Sequence, residues 1–117
     1  MDLDSAIGKH AEWKMKLRSA ISKQEILDAG SISKDNCCEL GKWLHGDGRA
    51  SFGRLASFKE CLAQHAAFHV EAGKVATAIN AKNYPEATAM LNGGTSYAAA
   101  SAAVHTAIMS LKKEAGL

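Results

Sequence analysis

"SFGRLASFKECLAQHAAFHVEAGKVATAIN", residues 51–80, decides the fold. Thirty residues pass without proline, and Phe52, Leu55, Phe58, Leu62 and Phe68 recur at helical spacing, so the stretch predicts one long helix with a buried side. "NAKNYPE" ends it, and Pro85 suits the first turn of a short helix that follows. "NGGTS" is a second break. Beyond it, about Tyr97 to Glu114 reads as a last helix carrying Ala100, Val104, Ala107, Ile108 and Leu111, with lysines near its C-terminal end to complement the dipole.

The N-terminal half gives two more helices. One runs from about Leu3 to Gln24, with Asp4 or Ser5 near its start and Ile7, Ala11, Met15, Ala20 and Ile21 as an apolar stripe. "DAGSISKDN" is a loop by composition. Ser33 or Asp35 then caps a shorter helix through Cys38 and Trp43, which stops at the glycines of "HGDGRAS". One proline in the chain and little β-branched alternation leave an all-α fold. The expected architecture is an antiparallel four-helix bundle with an additional short helix, one domain over residues 1–117.

A chain of 117 residues with 47% apolar content is large enough to bury a core without disulfides. Its net charge of +2 comes from scattered lysines and arginines, which gives no reason to expect nucleic acid or a membrane surface as partner. No segment reaches the roughly 18 uninterrupted apolar residues of a membrane span. The acidic, polar start does not read as a signal peptide. Three cysteines, an odd number, do not suit a secreted disulfide framework. A cytoplasmic location is expected, with thiols free or on metal.

"QHAAFH" sets His65 and His69 four residues apart, so on a helix both imidazoles face one way and can share a cation; the alternative is a pair of half-exposed histidines. His10 lies in the middle of the first helix, where a histidine is ordinarily a packing or surface residue. With Cys38 as a thiolate, three histidines and one cysteine make a reasonable donor set for zinc.

The sequence resembles the chemoreceptor zinc-binding domain found in bacterial chemoreceptors and diguanylate cyclases. The resemblance rests on "HAEW" at 10–13, "CELGKW" at 38–43 and "HAAFH" at 65–69, three motifs in the family's order. It implies a single zinc ion held by His10, Cys38, His65 and His69. It also implies a cytoplasmic regulator, acting as a homodimer, of a chemotaxis or cyclic-di-GMP output carried in cis or in trans. The input would be zinc itself, or oxidation of the zinc-bound cysteine by an oxidant such as hypochlorous acid.

Four protein ligands close a zinc tetrahedron, and no catalytic triad, phosphate loop or paired carboxylates stand out, so no enzymatic activity is expected. Cys37 is expected to point away from the site, Cys61 to be a small buried residue, and His45 and His105 to lie at the surface. Gly41 would let its helix approach a neighbour closely. Trp13 and Trp43 would pack around the ligands. The alanine-rich "YAAASAAVHTAIM" serves either a helix–helix interface or internal core. Two other functions are weighed: a hemerythrin-like di-iron bundle, which lacks the expected His-x-x-x-Glu pairs here, and a helical interaction module without metal.

Overall fold

A computed structural model describes all 117 residues. Seven helices follow in order: α1 Leu3–Lys23, α2 Ala29–Ile32, α3 Glu39–His45, α4 Asp47–Phe52, α5 Ala56–Asn80, α6 Tyr84–Met90 and α7 Ser96–Ala115. There are no strands, so the all-α reading holds. Three helices are long. The second rod of the expected bundle is instead divided among α2, α3 and α4, which return the chain from the end of α1 to the start of α5.

The core follows one spacing. On α5, Phe58, Cys61, His65, Phe68, Ala72, Val75 and Ile79 are all buried, at alternating intervals of three and four residues. Tyr97, Val104, Ile108 and Leu111 face them from α7 with the same repeat. That period keeps one stripe of each helix against its partner, so the two pack along their lengths. The ring of Phe68 meets that of Tyr97 at 5.6 Å. Lys112, near the end of α7, donates to Asp4, near the start of α1, at 2.7 Å, so these two helices run antiparallel.

Several local expectations are corrected. Asp4 and Ser5 lie in the first turn of α1 as expected, and the cap itself is Asp2, its carboxylate accepting from the Ser5 N–H at 3.1 Å. Ala11 and Met15 are exposed, and the buried face of α1 is Leu3, Ala6, His10, Leu17 and Ala20. "DAGSISKDN" contains one helical turn, α2, capped by Asp28. The short helix α3 does stop at Gly46, as its glycines predict, but a further short helix not foreseen, α4, starts at Asp47. The single helix foreseen over 51–80 is broken at Gly53–Leu55, where Leu55 is extended and opens α5 without a side-chain cap. The C-terminal readings stand: Pro85 lies in the first turn of α6, and the last helix, α7, follows the "NGGTS" break, with Thr95 as a cap not foreseen.

Candidate metal centre

Each of the four candidate ligands is placed by a different local device. His10 sits on the buried face of α1 and is 6% exposed. Its Nδ1 lies 2.8 Å from the Ala6 carbonyl one turn back. A carbonyl can only accept, so Nδ1 carries the proton and Nε2 keeps its lone pair. His69 is fixed in the same way: Nδ1 donates to the Ile32 carbonyl of α2 at 2.8 Å, which leaves Nε2 unprotonated. His65, one turn before it on α5, is fully buried, and its Nδ1 has no partner.

Cys38 is the N-cap of α3, a place expected for Ser33 or Asp35. Its Sγ accepts from the Gly41 N–H at 3.3 Å, as a serine oxygen would. Gly41 makes this possible. A Cβ there would lie 1.8 Å from the Asp35 carbonyl oxygen, so only glycine lets the turn at 35–38 lie against α3. The neighbour that Gly41 admits is thus the cysteine's own turn.

These devices bring the four ligand atoms within 4.8 Å of one another, a group that could hold one metal ion. Sγ of Cys38 is 3.2 Å from Nε2 of His65, 3.6 Å from that of His69 and 4.0 Å from that of His10. The Nε2 atoms of His65 and His69 are 3.1 Å apart. Zinc bonds of roughly 2.05 Å to nitrogen and 2.3 Å to sulfur place tetrahedral ligands about 3.3 Å (N to N) and about 3.6 Å (N to S) apart. These four distances scatter around those values, and the remaining pairs lie within 4.8 Å. Lone pairs of His10 and His69 directed at a common centre, beside a sulfur that already accepts a hydrogen bond, are what a cation would satisfy.

The electrostatics agree with neutral imidazoles. Burial pulls His65 down to about 3, helped by the neighbouring His69 and His10. Burial also lowers His10 and His69, against the pull of their backbone hydrogen bonds. The Cys38 thiol is pushed up by burial, and the N–H groups of Gly41 and Leu40 oppose that push. A cation would have to displace this proton, so metal affinity falls in acid.

The surroundings are aromatic. Phe68 lies edge-on to His10 and His69, and Trp13 approaches His69 at 6.4 Å between ring centroids. Trp43 packs on Phe52, Phe58 and the face of Gly48 rather than on a ligand. Of the remaining candidates, Cys61 is buried and Cys37 exposed. His105 is exposed. His45 is also exposed but pairs with Asp35 at 2.8 Å, a contact across the cysteine turn that spacing alone did not suggest. Asn80 and Gly73 likewise carried no signal in the sequence, although both hold the segment that orients His69.

The family model for the chemoreceptor zinc-binding domain matches residues 10–76, more than half of the chain. That segment includes all four clustered residues. No curated protein and no solved structure gives a significant match. No helix is long and apolar enough to cross a membrane.

Proposed function

We infer the function from one premise: the chain belongs to the chemoreceptor zinc-binding domain family. The reading is a cytoplasmic sensory domain that binds one zinc ion through His10, Cys38, His65 and His69. It has no catalytic activity of its own and regulates, as a homodimer, a chemotaxis or cyclic-di-GMP output joined to it or associated with it. The observation that carries it is the convergence of three imidazole nitrogens and one Sγ within 4.8 Å of one another.

Zinc, when bound, would tie α1, the cysteine turn and α5 at one point and keep the sulfur as thiolate. The chain's residues do the rest. Backbone carbonyls hold the protons of His10 and His69 on Nδ1, and Gly41 holds Cys38 in place. Phe68 and Trp13 limit water around the rings. Cys38 is the one ligand of the four that is only half-buried, and its thiolate is the group that an oxidant would attack. A thiolate and hypochlorous acid give a sulfenic acid and chloride, which removes the sulfur's negative charge and frees the turn that carries it.

Metal analysis of tag-free protein tests the reading. One zinc per chain is expected, with clear loss in Cys38→Ser and His69→Ala. Two irons per chain would favour a di-iron bundle, and no metal even after zinc is offered would leave a helical interaction module. For the oxidant input, hypochlorous acid added to zinc-loaded protein should release zinc and add one oxygen to Cys38. Retention of zinc by protein carrying that oxygen would confine the input to zinc concentration.

A further inference from the structure

The segment from Leu27 to Ser33 lies as a strap along α5, and it supplies the carbonyl that orients His69. No residue of α2 is fully buried; Leu27 and Ile32 pack only in part against the core, so further groups must hold the strap in place. Two devices outside the ligand set do. The Asn80 side chain closes a two-bond clamp on Leu27, Oδ1 accepting from the N–H at 2.7 Å and Nδ2 donating to the C=O at 2.8 Å. Gly73 admits the other end, because a Cβ there would lie 2.6 Å from the Ser33 Cβ and 3.0 Å from its Cα.

His69, Gly73 and Asn80 are spaced four and seven residues apart, so they share one face of α5 and the strap follows that face. Asn80 lies about 16 Å along the helix from His69 and outside the segment that matches the family. The amide pairs with both the donor and the acceptor of Leu27, which fixes the strap's register as well as its position.

We propose that Asn80 and Gly73 are positioning residues for the metal centre: they hold the strap so that the Ile32 carbonyl keeps the His69 proton on Nδ1 and its Nε2 lone pair on the ion. This rests on the zinc reading above. Partners that orient a ligand typically change metal affinity ten- to a hundredfold when removed. Asn80 acts through one intermediary, so the lower end is expected.

The test is zinc affinity, by competition with a chromogenic chelator, for wild-type protein, Asn80→Ala, Gly73→Ala and a cavity variant in α7, Ile108→Val. Affinity should fall about tenfold in the first two variants and stay within about twofold in the third. The His69 ring N–H, protected from exchange in the zinc-loaded wild type, should exchange quickly in Asn80→Ala. Gly73→Ala decides the matter if Asn80→Ala does not fold. Wild-type affinity in the strap variants, or equal weakening in Ile108→Val, would overturn the proposal while leaving the zinc site intact. Wild-type protein that binds no zinc would overturn the zinc reading, and this inference with it.

Discussion

Metal-free protein taken from pH 7 to pH 4 is expected to lose roughly 3 kcal/mol of stability through His65 alone. The sign follows from where each state holds protons. In the unfolded chain His65 titrates near its ordinary value of 6.5; in the folded chain burial beside two other imidazoles lowers it to about 3. Between those values the unfolded state binds the proton and the folded state refuses it. Stability is therefore complete above about pH 7 and falls throughout the window from 6.5 towards 3. His10 and His69 are lowered as well and act in the same direction.

The three titrate as one cluster, since the first proton accepted repels the next. A domain of this size has on the order of 5–15 kcal/mol in all, so acid unfolding near pH 4 is within reach. Urea midpoints at pH 7, 5.5 and 4 measure the effect, and His65→Leu should flatten the profile. A wild-type midpoint that stays constant across that range would show that folded and unfolded states bind protons equally, and that burial does not lower the cluster.

The same buried histidines explain what the sequence did and did not disclose. The long helices α5 and α7 were legible because their buried positions are mostly plain apolar residues at helical spacing. The face of α1 was not. With His10 scored as polar, the eye moves to Ala11 and Met15, both exposed. With His10 and the partly buried Trp13 counted as inward, Leu3, Ala6, His10, Trp13, Leu17 and Ala20 form an unbroken three–four repeat. A ligand buried in a core thus breaks the binary pattern used to find that core.

The return from α1 to α5 was least legible, for two physical reasons. Cysteine is not among the usual N-cap residues, so nothing in "KDNCCELGKW" announces that Sγ takes the role of a cap oxygen. The strap is held by a side chain 53 positions away, and neither composition nor periodicity reports so distant a pairing. The four ligands could still be named in advance. Their motif spacing reflects the elements that carry them, while the hydrogen bonds that aim them come mostly from backbone.

The second large effect is expected from Gly41→Ala, a change of one methyl group. Its Cβ would lie 1.8 Å from the Asp35 oxygen, 2.8 Å from the Asp35 carbonyl carbon and 3.2 Å from the Asn36 Cα. All three are backbone atoms, so no rotamer change relieves the clash; the turn and α3 must separate. Overpacking ordinarily costs about 1–3 kcal/mol, and a contact with fixed backbone belongs at or above the upper end. The turn that moves carries Cys38, and the N–H lost to its sulfur is that of residue 41 itself. Zinc affinity should therefore fall at least about a hundredfold, beyond the usual range for a group that only orients a ligand, because the ligand itself is displaced.

Gly8→Ala is the matched control. Nothing lies within 4 Å of its added Cβ, and alanine in the middle of α1 should stabilise by about 0.5–1 kcal/mol. Opposite shifts in the urea midpoint are thus expected from the same substitution at two glycines. Wild-type zinc binding in Gly41→Ala would mean that the cysteine turn can leave α3 without disturbing the site, and that the metal, rather than the backbone, determines where Cys38 sits.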